Sequence, residues 1–101
     1  MTKIPAWTTH PRDSGDTILA HEILAERAAS MGAADERVAK TLARLATFAP
    51  GAEGRPAALK DASEAVWMYF IQRELCGFRR HDDVIRDHAI PREVLNRLGV
   101  R

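Results

Sequence analysis

The feature that most constrains this chain is a stripe of apolar residues that recurs at every seventh position. Its members are Leu24, Met31, Val38 and Leu45, and Ala28, Leu42 and Ala49 lie four positions after three of them. Residues spaced by four and by seven share one face of an α-helix. The stripe therefore predicts one long helix over roughly residues 16–48, which Pro50 and Gly51 end.

The start and the continuity of this helix are less sharply defined. Asp13, Ser14 or Asp16 is expected to cap its N-terminus, because a short side-chain oxygen accepts a bond from a free backbone N–H. Gly32 costs about 1 kcal/mol relative to alanine inside a helix. It could end one helix, with Asp35 interrupting the stripe to cap a second. Because the stripe keeps its phase across Gly32, we expect one continuous helix, with a break as the alternative.

A second helix is predicted from Pro56 to Cys76. The loop APGAEGRPA at residues 49–57 precedes it, and proline suits the first turn of a helix. Gly77 follows it, and glycine suits the left-handed position after the last turn.

The middle of this central helix, AVWMYFI at residues 65–71, is apolar on every side. A helix without a polar face is expected to be buried all round, so Trp67 and Phe70 should both lie in the core. A central β-strand is the alternative for this run, but helix formers flank it and no hairpin signal adjoins it.

The last segment, HDDVIRDHAIPREVLNRLGVR, predicts two short helices. His81 or Asp82 begins the first. Ile90 and Pro91 separate the two, because the residue before a proline avoids the helical region. Pro91 then opens the second helix and Gly99 closes it. The residues expected to face the core are Val84, Ile85, Val94, Leu95 and Leu98.

These segments together predict an all-α fold. It consists of a long N-terminal helix that could be broken at Gly32, a buried central helix and two short C-terminal helices. Residues 1–13 hold two prolines and no periodicity, so we expect an extended tail there and a single helical domain over residues 14–101. Ile4 and Trp7 are the tail residues that could pack against another surface.

The stretch ELCGFRRHDD, at residues 74–83, crowds a thiol, an imidazole, arginines and carboxylates around one glycine. Helix-end chemistry explains it. Gly77 stops one helix, and Asp82 and Asp83 are favoured at the start of the next. A thiol near histidine and arginine could instead be an activated nucleophile. A single cysteine beside leucine and phenylalanine is more often a packed apolar residue, so we expect no catalysis by Cys76.

Polar residues are dense around the end of the central helix, and we expect them to form an ion network that holds the last two helices to it. The members are Arg73, Glu74, Arg79, Arg80, His81, Arg86, Asp87 and Arg92.

Neither a metal site nor a cofactor site is predicted. His21 with Glu22 lacks the second histidine of an HExxH motif. His81 and His88 are seven residues apart and share a face only if one helix holds both. We expect the histidines, including His10, to be solvated or to cap helices.

A DNA-binding function is the alternative that the C-terminal segment supports. IRDHAIPREVLNRL, at residues 85–98, resembles a helix-turn-helix, in which Arg92, Asn96 and Arg97 would contact DNA. The usual turn glycine is absent. Residues 79–101 hold six arginines against four carboxylates, a small excess for a phosphate-binding surface. Nucleic acid is therefore the less favoured partner.

Charge and cysteine content limit which partners and which cellular compartment the sequence predicts. Fifteen basic residues nearly balance fourteen acidic ones, so charge implies no polyanionic partner. Cys76 is the only cysteine, which excludes an intrachain disulfide and fits a reducing compartment. The apolar run at residues 65–71 is far shorter than the ~20 residues that a membrane helix needs. The first residues do not resemble a signal peptide. We expect a cytoplasmic protein without a membrane partner.

Residues 64–99 resemble the C-terminal half of a family of small, uncharacterised bacterial proteins classed as a domain of unknown function. The run from Gln72 to Gly77 and the segments VIRD and IPREVL carry the likeness, over about a third of the chain. The resemblance implies a small bacterial helical protein and no catalytic activity.

The lengths of the two long helices predict self-association. A helix of about 33 residues is roughly 50 Å long, whereas one of about 21 residues reaches only ~32 Å. The shorter helix cannot cover the whole stripe, so a second copy is expected to do so. The predicted function is a non-enzymatic structural or interaction module that forms a homodimer or larger oligomer. A small DNA-binding regulator is the alternative, and an enzyme using Cys76 or the histidines is the third. The predicted interface residues are Leu24, Met31, Val38 and Leu45.

Overall fold

The structure is a computed structural model that describes residues 11–99, with the side chains of residues 17–99. It contains four α-helices: α1 is Pro11–Ala46, α2 is Arg55–Leu75, α3 is Asp82–Asp87 and α4 is Arg92–Arg97. No strand occurs within residues 11–99. The predicted all-α class is confirmed, and so is the order of one long helix, a central helix and two short helices.

The long helix begins earlier than predicted. It starts at Pro11, and a first-turn proline is tolerated because its missing N–H would have no helical partner. The predicted capping residues already lie inside the helix: Asp13, Ser14 and Asp16. They therefore do not mark the start of the helix, and their side chains lie outside the described part of the structure. Residues 11–13 of the predicted tail are helical, and the remainder, with Ile4 and Trp7, lies outside the described residues.

α1 is continuous through Gly32, as expected from the unbroken phase of the stripe. Gly32 is exposed, and no atom lies within 4 Å of the position that a Cβ would take. Packing therefore does not require glycine there. Asp35 caps no second helix. It lies within α1, and its carboxylate accepts a hydrogen bond from Nε2 of His88.

α1 and α2 form an antiparallel hairpin, and α4 also packs on the central helix. The loop between α1 and α2 turns at Gly51, whose φ of 84° lies in the left-handed region. The buried core draws on all four helices and includes Val38, Leu45, Ala58, Ala62, Ala65, Val66, Tyr69, Phe70, Val84, Ile90, Val94 and Leu95. Ile85 and Leu98 pack against this core, as predicted.

The central helix is not buried all round. Phe70 is 7% exposed, as expected, but Trp67 is 51% exposed and the prediction that it lies in the core is wrong. Met68 is also exposed. The reason is geometric, because α2 is covered by α1 and by the short C-terminal helices, and no described element covers its remaining side.

The end of α2 has the predicted left-handed glycine, with a φ of 96° at Gly77. The Gly77 N–H donates to the carbonyl of Glu74 at 3.0 Å, and the Phe78 N–H donates to that of Arg73 at 2.9 Å. These two bonds satisfy carbonyls that the helix end leaves free. α3 ends with the same pattern, but its left-handed residue is Ala89, at a φ of 51°.

Boundaries of the two short helices agree with the prediction to within a residue. α3 begins at Asp82, with both predicted aspartates in its first turn. Pro91 precedes α4 in an extended conformation rather than forming its first residue. Ile90 is buried beside it, which anchors the turn between the two helices.

The molecule is elongated, with extents of 71 × 24 × 18 Å and a radius of gyration of 20.2 Å. A compact chain of this length would have a radius of gyration near ~13 Å. The excess comes from α1, which is much longer than the helix against which it packs. Among the described residues, no helix has the length and apolar character needed to cross a membrane.

Candidate functional site

The N-terminal half of α1 projects from the core. All residues from 17 to 30 are exposed, and we call this stretch the projecting segment. Four of them are large and apolar: Ile18, Leu19, Ile23 and Leu24. At 100° per residue, Ile23 and Leu24 lie on the face that carries Val38 and Leu45 further along the helix, and Leu19 lies at the edge of that face. Arg27 lies on the same face, about five helical turns before Leu45. The core-facing stripe therefore continues into solvent.

Two contacts explain where the projecting segment begins. Arg44 of α1 donates to Asp61 of α2 at 3.0 Å. Asp35 accepts a bond from His88, whose ring meets that of Tyr69 edge-on at 6.1 Å. In an antiparallel pair, residue numbers rise along one helix as they fall along the other. The contact between Arg44 and Asp61 therefore places Leu75, the last residue of α2, beside about residue 30 of α1. Beyond that point the hairpin offers α1 no neighbour.

The four predicted interface residues divide between the core and the projecting segment. Val38 and Leu45 are buried in the core of the single chain. Met31 is partly buried at the edge of the core. Leu24 is 60% exposed and belongs to the projecting segment.

A second uncovered apolar surface lies on α2. Its members, which we call the outer face, are Trp67, Met68, Ile71 and Leu75. Trp67, Ile71 and Leu75 follow one another at intervals of four residues, so they form a row along one side of the helix. Leu75 is the most exposed of them, at 70%.

A cleft of about 530 Å³ adjoins the outer face. Its lining has an apolar part and a charged rim and consists of Trp67, Phe70, Ile71, Glu74, Arg79, Arg80, His81, Asp82, Ile85 and Leu98. On the rim, Arg80 donates to Asp82 at 2.8 Å. Arg79 makes no hydrogen bond or ion pair within the part of the chain that the structure describes.

The wall of the cleft is held by the buried guanidinium of Arg73. Its Nη2 donates to the carbonyl of Arg80 at 3.0 Å and to Asp83 Oδ1 at 3.2 Å. The same guanidinium lies 4.6 Å from the ring centroid of Phe78. A buried arginine needs such partners, since an unpaired buried charge is strongly destabilising. These bonds fix the segment between α2 and α3.

His81 completes this arrangement. Its ring stacks on Phe70, with centroids 4.2 Å apart and an angle of 8° between the planes. Arg73 Nε donates to His81 Nδ1 at 3.1 Å, so Nδ1 carries no proton. The proton therefore lies on Nε2, which donates to Glu74 Oε2 at 3.1 Å.

The predicted ion network is present in part. Arg73, Glu74, Arg80 and His81 belong to it, together with Asp83, which was expected at the start of α3. Arg86 bonds only its neighbour Asp87, on the surface at 3.4 Å. His81 and His88 occupy the N-cap and C-cap positions of α3, as one of the two expectations had it, and their rings are packed and bonded rather than solvated.

A further ion pair ties the start of α2 to α4. Arg55 Nη1 donates to Glu93 Oε2 at 3.0 Å, and Nη2 bonds the other carboxylate oxygen. The hydrogen bond from Arg55 lowers the pKa of the Glu93 carboxyl below its ordinary value. The same bond raises the pKa of Arg55. Together with the bond from Arg73 to Asp83, the pair fastens both short helices to the central helix.

The remaining candidate residues lie apart from the cleft or make no site. Cys76 is a free thiol of intermediate burial at the end of α2. Within the part of the chain that is described, no group of three or more His, Cys, Asp or Glu side chains could hold a metal ion. Arg92, Asn96 and Arg97 are all exposed on α4, which is only six residues long.

Comparison with known families identifies the family of this chain. A sequence model described as "Family of unknown function (DUF6665)" matches residues 8–101. The chain belongs to this family. The predicted resemblance to an uncharacterised family over residues 64–99 is confirmed and extends over nearly the whole chain. A search of curated proteins and a search of solved structures each found no match. Bacterial origin stays a prediction.

In this DUF6665 protein, sequence reasoning missed the two ion pairs that join α1 and the start of α2 to the C-terminal segment, Asp35 with His88 and Arg55 with Glu93. A signal existed for the first pair. An aspartate in an apolar stripe requires a partner, because a buried carboxylate is costly unless it is bonded. No comparable signal identifies the second pair, whose members lie 38 residues apart.

Proposed function

We propose that this protein is a non-enzymatic interaction module that works as a homodimer, with the projecting segment as the dimerisation element. One observation carries the proposal: the face of α1 that packs the core at Val38 and Leu45 carries Ile23 and Leu24 within fourteen consecutive exposed residues, where no described element covers them.

Burial of the exposed apolar side chains of the projecting segment would contribute a large favourable free energy. Burying a Leu or Ile side chain contributes about 1.5–3 kcal/mol, and Leu19, Ile23 and Leu24 are all uncovered. A helix without tertiary contacts is also only marginally stable in water. A neighbour that packs on this stripe would gain the burial energy and stabilise the segment as well.

A second copy of the chain is the occupant that the charges favour. The segment carries Glu22, Glu26 and Arg27, so it is neither a basic surface for nucleic acid nor a strongly acidic one. Two-fold self-association is the commonest arrangement of small oligomers.

The DNA-binding alternative rests on the exposed Arg92, Asn96 and Arg97. It has less support, because these residues occupy a six-residue helix in a chain with a net charge of +1. Binding to random duplex DNA that weakens steeply with salt would favour it over the interaction module.

Light scattering after gel filtration at micromolar concentration tests the proposal. We expect a mass near twice 11.2 kDa and a melting temperature that rises with protein concentration. A mass near 11.2 kDa that does not change with concentration would contradict it.

A matched pair of substitutions locates the interface. Ile23→Glu introduces a charge into the stripe and should yield a monomer. Ala25→Glu adds the same charge two residues away, on the opposite side of the helix, and should leave the dimer intact. Equal effects of the two variants would argue against the stripe as the interface.

A further inference from the structure

We propose that the projecting segment of each copy docks on the outer face and cleft of the other copy, so that the two chains exchange these segments reciprocally. The inference rests on the proposed function and specifies the surface that receives the helix. It makes Trp67, Leu75 and Arg79 interface residues. All three are exposed in the single chain, and Arg79 has no described ion pair.

Both surfaces lie at the same end of the molecule. α1 and α2 are antiparallel, and the projecting segment begins about where α2 ends at Leu75. The cleft is built from the second half of α2 and from residues 79–82 that follow it. Two copies that meet at this end through a two-fold axis can therefore each insert a helix into the other. Such an arrangement is closed and does not propagate into a fibre.

The size of the interface favours exchange over pairing of two projecting segments alone. Stable interfaces engage about 20–30 residues on each side. The segment has fourteen residues, and about half of them would face away from a partner helix. The outer face and the cleft add twelve residues, which brings each copy to roughly twenty.

The apolar parts of the two surfaces match in kind. Leu19, Ile23 and Leu24 present one face of a helix. The outer face presents a row of side chains four residues apart beside a cleft of about 530 Å³. An amphipathic helix that lies in an apolar groove is a common recognition mode.

The charges match as well. Glu22 and Glu26 follow Leu19 along one side of the helix, beyond one edge of the apolar stripe, and neither makes an ion pair within the described part of the chain. They lie four residues apart, where like charges destabilise a helix slightly. Arg79, on the rim of the cleft, is also without a described partner. Docking would bring this arginine to the two glutamates.

A charge reversal tests this pairing. Arg79→Glu should weaken dimerisation by roughly tenfold, because the two-fold axis places the repulsion at two sites. Adding Glu22→Arg and Glu26→Arg to the same chain should restore dimerisation. Arg92→Glu is the matched control, since this exposed arginine also lacks a described ion pair but lies outside the cleft. Equal weakening by Arg79→Glu and Arg92→Glu, or no restoration, would overturn the inference.

Tryptophan fluorescence separates this inference from the proposed function. The chain has two tryptophans, so Trp7→Phe leaves Trp67 as the only reporter. Light scattering first checks that this variant has the mass of the parent chain. If the inference holds, the emission of Trp67 shifts to shorter wavelength as the concentration rises and the dimer forms. A dimer with unshifted emission overturns the inference and leaves the proposed function standing. Absence of a dimer overturns both.

Discussion

The two halves of α1 carry one apolar pattern but have different surroundings. Leu45 is 3% exposed and packs in the core, whereas Leu24, three heptads earlier in the same stripe, is 60% exposed. The sequence of the helix does not mark the boundary between them. What changes is the neighbour, because α2 ends before it reaches the N-terminal half. An amphipathic stripe thus shows that a face is built for packing and does not say which surface covers it.

The two sides of α2 also differ in how deeply their apolar residues are buried. Phe70 lies in the core and stacks on His81, while Trp67, one turn away, is half exposed. The apolar run AVWMYFI contains both an inner and an outer face. Its all-round apolar character fits a helix that needs partners on two sides, of which one protomer supplies only one.

The sharpest difference should appear between Trp67 and Phe70 of α2. Phe70→Ala is expected to lower the free energy of unfolding by about 3–5 kcal/mol, since it leaves a cavity in the core. Trp67→Ala should cost about 1 kcal/mol or less within the protomer, as expected for a surface residue. Chemical denaturation of both variants in the monomeric Ile23→Glu background measures these values without a contribution from dimerisation. Similar losses for the two variants would mean that the outer face is part of the core.

The two leucines of the α1 stripe should also differ. Leu45→Ala is expected to lower the free energy of unfolding by about 2–5 kcal/mol at every protein concentration, because its side chain is buried within one chain. Leu24→Ala should change protomer stability by about 0.5 kcal/mol or less. In the parent background its effect should grow as the concentration rises into the range in which dimers form. The comparison breaks down if Leu24→Ala destabilises a dilute, monomeric sample as strongly as Leu45→Ala does.

The smallest effect concerns the joint between the two halves of α1. Gly32→Ala should raise stability by about 1 kcal/mol, since alanine favours the helix and space for its Cβ is free. Hydrogen exchange should then slow in the projecting segment, because the joint resists local opening. Gly77→Ala is the control, as its φ of 96° is strained for alanine, and it should lower stability by a similar amount. A loss of stability in Gly32→Ala would show that the glycine has a role that packing does not reveal.

Helix positions could be read from the sequence because their signals are local. Pro56 and Gly77 fix the ends of α2 to within a residue, since their backbone preferences act on the turn in which they lie. The unbroken phase across Gly32 correctly predicted one helix. The start of α1 was missed because several good capping residues follow Pro11, and a polar side chain signals a cap equally well when it lies within the first turns. The left-handed Ala89 was missed because alanine gives no local signal for that conformation, which accompanies the burial of Ile90 and the bond from its N–H to the Ile85 carbonyl.

The sequence by itself determined the all-α class, the number and order of the helices, the joint at Gly77 and the presence of an apolar stripe along α1. These depend on the preferences of neighbouring residues and on helical periodicity. Only the tertiary structure decided which part of the stripe is buried, that Trp67 faces outward, and that Asp35 and Arg55 find partners in the C-terminal helices. Those outcomes depend on the relative lengths and alignment of α1 and α2, which bring together residues that are far apart in the chain. Helical periodicity describes neighbouring residues and carries no information about contacts between distant ones.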